Sequence, residues 1–365
     1  MCDHLVRFPS IFDPLTGRGL LWVTAAEGFF FISGLLVGLV RGRLMQRSGV
    51  AAARRKLWAR AGKLYIASII FTLASLAAAA WLLTLGNDNV KGGFETFGSL
   101  PALLWQVLSL NYTYGWTDFL NYYVVFLLLS PLALWLLKWR YAWVGILTAS
   151  LILWGTKSIT TLPLNIAFLT WQAYFFTGLL TGYYFPALQN AWRKLTPRRQ
   201  KYLSASVVTL TAITVAASFA YTFGTPFFLD HRGQLIAPLS ALHLPSPDQF
   251  YEYLRSTKDN DTFTFLFQDN RSGLLRLPLF GLWFGSLFLI VRRYEHRIIR
   301  AVGPILLPLG RNSLYVYIIQ GVIAFSVPLL EIPPALVVNS IINTTAIALC
   351  WLAVRRRFLF KIIPR

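Results

Sequence analysis

Glu27 is the residue of this chain whose type and setting most ask for a chemical explanation. It lies in Ala25-Ala26-Glu27-Gly28-Phe29-Phe30-Phe31-Ile32-Ser33-Gly34, inside an apolar run. An ionisable group within a membrane span is costly unless paired or facing a polar cavity, and such groups mark functional sites by default. The plainer alternative is a buried Glu hydrogen-bonded to a neighbouring helix. Gly28, Gly34 and Gly38 would let another helix or a ligand approach the backbone closely. Asp3-His4 is the second candidate. Histidine is the usual general base near neutral pH, and an adjacent carboxylate can orient it and raise its basicity. A lone histidine near a terminus is otherwise a solvated residue.

Further polar residues sit at the ends of apolar runs. Arg60, Lys63 and Tyr65 lie where a basic stretch re-enters apolar sequence. They suit either lipid phosphates, by snorkelling, or the phosphates of a cytosolic donor, which Arg forks grip well. Asp118, followed by Tyr122, opens an apolar run. It is a helix cap favoured by the dipole or a substrate contact. Trp171-Gln172 is a helix–helix hydrogen-bonding pair or a stacking sugar site. Arg311-Asn312-Ser313 opens another run and holds either a cap or a donor contact. Asp269-Asn270-Arg271 and Arg276 gather before a later run.

The frame that must hold these residues is a membrane bundle. Of 365 residues, 56% are hydrophobic and 13% charged, against roughly 25% charged in a soluble domain. Mean hydropathy is +0.56. Recurring long apolar runs, without the alternation of a barrel, predict an all-α polytopic protein. The net charge of +20 would suggest nucleic acid in a soluble protein. Here the basic residues cluster between apolar spans, as the positive-inside rule describes, and no nucleic-acid partner is expected. Cys2 and Cys350 fit neither a disulfide framework nor zinc, and no metal is expected. Walker, nucleophile-elbow, HExxH and dinucleotide fingerprints are absent, which argues against a nucleotide-driven pump, a serine hydrolase and a zinc protease.

The hydropathy pattern predicts about nine spans, near 20–40, 64–85, 119–137, 141–155, 168–186, 203–223, 276–292, 312–330 and 335–354. Residues 100–116 read as an interfacial or re-entrant helix. Of the 34 Lys and Arg, 25 fall on one side, including 41–63 and 355–365, and nine on the other. That asymmetry places the C-terminus in the cytoplasm and the N-terminus outside. An outside N-terminus without a signal sequence suggests that a first helix is missing upstream of Met1. Residues 224–275, rich in Pro and aromatics, are expected to form an external cap within a single domain spanning 1–365. Long loops on one face of a bundle are commonly functional.

The ordered set of segments resembles the OpgC-type membrane acyltransferases, the glucan succinyltransferase branch of the acyltransferase-3 superfamily. The matching stretches are 25–34, Arg60-Ala61-Gly62-Lys63-Leu64-Tyr65, and Asp118 with Tyr122-Tyr123 and Pro131. Further on come Trp171-Gln172, Asp269 to Arg276 and Gly310-Arg311-Asn312-Ser313-Leu314-Tyr315. The resemblance implies ten helices, a bacterial inner-membrane location, acyl-CoA as a co-substrate rather than a resident cofactor, and an envelope glycan acceptor outside. Family members begin with a helix that carries an Arg-Gly motif and ends in Asp-His, of which only Asp3-His4 stands here.

On this reading His4 is the base, with Asp3 or Glu27 orienting it. Arg60, Lys63 and Arg311 would hold the CoA phosphates. Trp171, Gln172, Asp118, Arg271 and Arg276 would contact the acceptor or support the site. Two rivals are a carrier or flippase for a lipid- or sugar-linked substrate, and a truncated, non-catalytic paralogue. The acyl group, the acceptor and the oligomeric state are not legible in the sequence.

Overall fold

The computed structural model describes residues 2–87, 98–114, 118–156, 166–224, 273, 275–360 and 363. The expected cap and Arg271 lie outside the described residues. Among the described residues all regular structure is helical. A chain crossing hydrocarbon must satisfy its own backbone groups, and helices do so within one segment. Six helical stretches are long and apolar enough to cross a membrane: Ala25–Thr84, Asp118–Leu136, Pro197–Gly224, Arg276–Arg311, Ser313–Leu330 and Leu336–Arg355.

In chain order the helices are α1 (Cys2–Leu5), α2 (Asp13–Thr16), α3 (Ala25–Leu36), α4 (Gly42–Thr84), α5 (Leu100–Leu108), α6 (Asp118–Leu136) and α7 (Ala142–Thr156). They continue as α8 (Ile166–Tyr183), α9 (Phe185–Lys194), α10 (Pro197–Phe219), α11 (Arg276–Arg311), α12 (Ser313–Ser326) and α13 (Leu336–Arg355). Each expected span falls on a helix. The basic stretch 41–63 does not form a loop. It is helical and continues into the span, broken only at Gly49, whose φ of 81° leaves helical geometry. Its Ala, Leu, Arg, Lys and Gln content favours helix strongly enough to carry the charges along. α5 has nine residues and is about 13 Å long, too short to cross a bilayer, as an interfacial or re-entrant helix should be. α11 is also two helices, separated at Tyr294.

The chain falls into two compact units. The first comprises residues 1–18, 41–140 and 295–365, the second 19–40 and 141–294. In the first, α4 packs on α6, and α12 on α13. Asn121 ties three pieces together: its amide accepts from Ser68 Oγ at 2.7 Å and donates to Leu110 O at 2.8 Å. The N-terminal residues form a strap over α12 and α13. Arg7 donates to Ile332 O at 2.7 Å, Asn339 donates to Pro9 O at 2.9 Å, and the Ile11 amide donates to Ser340 Oγ at 3.0 Å. Leu5 packs with Val327 and Ala346.

In the second unit α3 packs on α8, and α7 on α8. The α3–α8 contact is made backbone to backbone by two pairs of glycines one turn apart. A Cβ at Gly34 would stand 1.9 Å from Phe175 O, and one at Gly38 2.0 Å from Leu179 O. From the other helix, a Cβ at Gly178 would stand 2.1 Å from Phe31 O, and one at Gly182 2.0 Å from Leu35 O. Small residues four apart give this close approach in membranes. Gly34 and Gly38 thus serve the role their spacing suggests. Gly28 does not, since nothing lies within 4 Å of its would-be Cβ.

Candidate functional site

In the first unit the polar residues converge on His4. The strap carries the imidazole to α12, where His4 Nδ1 lies 2.6 Å from Gln320 Nε2. The Tyr317 ring meets the imidazole edge-on at 6.4 Å. Tyr317 and Gln320 are three residues apart, so one face of α12 presents both. On α6, Asp118 accepts a hydrogen bond from the Phe119 amide at 3.0 Å. Phe119 meets Tyr317 at 6.3 Å between ring centroids. The start of α6 therefore joins the histidine's surroundings through Tyr317.

Burial pushes the His4 imidazole down from its ordinary 6.5 to about 4, because charging it would take a cation out of water. At neutral pH the ring is neutral, with a proton on one nitrogen and a lone pair on the other. Which is which depends on Gln320. If the Gln320 amide N–H donates to Nδ1, the proton rests on Nε2. If the amide is turned so that its oxygen accepts from Nδ1–H, Nε2 is the base. Asp3, adjacent in sequence, has a buried carboxylate oxygen, Oδ1, without a hydrogen-bond partner among the described residues.

In the second unit Glu27 is fully buried, and Arg276 is 2% exposed. They form an ion pair through Glu27 Oε1 and Arg276 Nε. The other oxygen, Oε2, accepts from the Thr24 amide at 2.9 Å and from Thr24 Oγ1 at 2.7 Å. Arg276 also reaches Thr24 Oγ1 at 3.4 Å. The helix begins at Ala25, later than the apolar run does, so Glu27 is the third helical residue and Thr24 the cap. Thr24-Ala25-Ala26-Glu27 is a capping-box pattern. Arg276 opens α11, so the pair joins the starts of two helices. Both carboxylate oxygens of Glu27 are engaged.

Other candidates are placed as follows. Gln172 is buried and bridges α7 and α8. Its Oε1 accepts from Ser150 Oγ at 2.7 Å, and its Nε2 donates to Ser150 O at 2.8 Å and Leu169 O at 3.0 Å. Both amide hydrogens are thereby used within the bundle. Trp171 stacks on Phe30 at 5.2 Å with 25° between planes. Arg60 and Lys63 are exposed on α4, and the Arg60 guanidinium stands 5.8 Å from the centre of the Tyr123 ring. Tyr65 donates to Leu108 O at 2.8 Å, fixing α5 to α4. Tyr122, one turn beyond Asp118, is half-buried, and Arg311 and Ser313 are exposed. Asn312 donates back to Pro308 O at 2.9 Å, across the α11–α12 junction.

Sequence reasoning missed Gln320 and Tyr317. Their signal was present, a lone amide in the run Tyr315-Val316-Tyr317-Ile318-Ile319-Gln320-Gly321. Nothing in one sequence tells such an amide from a routine helix–helix hydrogen bond.

Long apolar helices holding a neutral, hydrogen-bonded histidine in a polar cluster define a polytopic helical membrane protein with a candidate acid–base site. The chain belongs to the OpgC protein family, whose model matches residues 1–362. No curated protein and no solved structure matches it.

Proposed function

We propose that this OpgC-family membrane protein is an O-acyltransferase. It moves a succinyl or acetyl group from cytosolic acyl-CoA to a hydroxyl of a glucan or other envelope glycan on the outer side of the bacterial inner membrane, with its C-terminus cytoplasmic. The observation that carries this reading is the neutral, half-buried His4 with its ring nitrogen on Gln320 and Tyr317 at its edge. A polar group held this way in a membrane protein is expensive to keep without use.

In the proposed reaction the sugar hydroxyl attacks the thioester carbonyl carbon. His4 takes the hydroxyl proton, the new C–O bond forms, and the C–S bond breaks. The proton then passes from the imidazolium to the CoA thiolate. At neutral pH essentially every His4 is in the basic form. A ring with so low a pKa is a weak base, so the brief imidazolium must pass its proton on quickly. Gln320 is a positioning residue that sets which ring nitrogen is basic. Arg60, Lys63 and Arg311 suit the CoA phosphates, since exposed guanidinium and ammonium groups bind phosphate oxygens well. Glu27 and Arg276 act as a buried brace between the starts of α3 and α11 rather than as a base.

The test is release of CoA thiol by membranes containing the protein, given acetyl-CoA or succinyl-CoA with a glucan acceptor. Acceptor-dependent release with one of the donors is expected. Transport of a sugar- or lipid-linked substrate without thiol release would instead support a carrier.

A further inference from the structure

The face of α13 beneath the N-terminal strap carries a buried amide that nothing satisfies. Asn343 is 1% exposed, and neither its Nδ2 nor its Oδ1 has a hydrogen-bond partner among the described residues. One turn earlier, Asn339 donates to Pro9 O but has an unpartnered Oδ1. One turn later, Ala346 packs with Leu5, the residue after His4. Residues 339, 343 and 346 recur at helical spacing on one face. The strap therefore touches α13 on either side of Asn343. Two further buried orphan atoms, Asp3 Oδ1 and Arg7 Nε, are on the strap itself.

A primary amide offers two donors and two acceptor positions. Burying it unpaired costs about 1–3 kcal/mol, and within a span there is little water to relieve it. Leucine would fill a similar volume without that cost. We propose that Asn343 and the free Oδ1 of Asn339 form a binding subsite for a neutral group bearing both a hydrogen-bond donor and an acceptor, beneath the strap that carries His4. The absence of a cationic or anionic side chain at these two positions on α13 suits a neutral group. This rests on the transfer reading above. Such chemistry has two sources in that reaction: the amides of the donor's thioester arm, and the hydroxyls of the acceptor sugar.

The experiment compares wild type with Asn343→Leu, and with Asn343→Ala in case leucine is too large. Melting in detergent and KM for acyl-CoA and for glucan are measured on each. The leucine variant is expected to melt at the same or a higher temperature, because it removes an unpaired amide. One KM is expected to rise about tenfold, the loss of one net hydrogen bond. A rise for acyl-CoA identifies the donor's amides as the occupant, and a rise for glucan identifies the sugar. Unchanged KM values for both overturn the proposal, as does a lower melting temperature in both variants, which would show a structural partner. If wild type turns nothing over, the transfer reading fails and ligand-induced melting shifts decide the subsite. A shift by acyl-CoA or glucan that Asn343→Leu abolishes sustains it, and its absence in wild type rejects it.

Discussion

Glu27 and His4 are both ionisable groups in a helical membrane protein, and their surroundings differ in kind. Every oxygen of Glu27 has a donor: Thr24 on one side, Arg276 on the other. The group sits in the first turn of one helix and meets the start of another, so its charge fixes geometry. In the unit that holds His4, Gln320 meets one ring nitrogen of the imidazole, whereas two other groups lack hydrogen-bond partners among the described residues: Asp3 Oδ1, and both side-chain polar atoms of Asn343 on α13. A fully satisfied polar group is architecture, since it has nothing left to offer a substrate. A buried polar group left partly unsatisfied retains a free energy that a ligand can recover.

The largest stability effect should come from breaking the satisfied side. Arg276→Met leaves Glu27 buried and unpaired, and is expected to cost about 3–5 kcal/mol in a thermal or denaturant melt. Replacing both, as Glu27→Leu with Arg276→Met, should restore most of that loss, because well-packed apolar pairs commonly match buried ion pairs. A double variant as unstable as the single would mean that the pair does more than brace the helix starts. Next in size are the glycines of α3 and α8. Gly34→Ala or Gly178→Ala should destabilise by about 1–3 kcal/mol, since the obstacle is backbone carbonyl rather than a movable side chain. Gly28→Ala should leave the melt unchanged.

On the unsatisfied side the effects should appear in chemistry before stability. Gln320→Leu is expected to lower turnover about tenfold, the value of one oriented hydrogen bond. Gln320→Glu should move the acid limb of the rate profile upward, since a carboxylate on Nδ1 favours the imidazolium. A merely structural role would leave that limb in place in both variants. A separate effect is on pH-dependent stability. His4 titrates at about 4 when folded, against 6.5 ordinarily. The unfolded chain thus binds the extra proton first as pH falls. The contribution is fully present above about 6.5 and is lost as pH drops from there toward 4. Melting of wild type and of His4→Ala between pH 4 and 7.5 checks this, the variant lacking that part of the acid slope.

The sequence made the architecture legible wherever one physical pattern dominates. Apolar length gave the helices, and Gly34-xxx-Gly38 announced a close contact whose partner, Gly178-xxx-Gly182, is visible once sought. The helical character of 41–63 was hidden because charge and hydropathy speak of water and membrane, not of backbone conformation. Glu27 was conspicuous, but its role turned on a cap three residues away and on Arg276, 249 residues later. Pairing over that distance is set by packing, which one sequence does not reveal. Gln320 and Asn343 were obscured for the opposite reason: single amides in apolar helices are ordinary, and only their partners distinguish Gln172, fully bonded, from Asn343, fully unbonded.

The contrast between the two regions is tested most directly in one assay. CoA thiol release, per inserted folded protein and with a glucan acceptor, is compared for wild type, His4→Ala and the Glu27→Leu/Arg276→Met double variant. The account predicts a fall of about 10²–10⁴-fold for His4→Ala, the usual value of a general base, and turnover near wild type for the double variant. Release that survives loss of His4 but disappears with the apolar pair would contradict it, and would make Glu27 the chemical group.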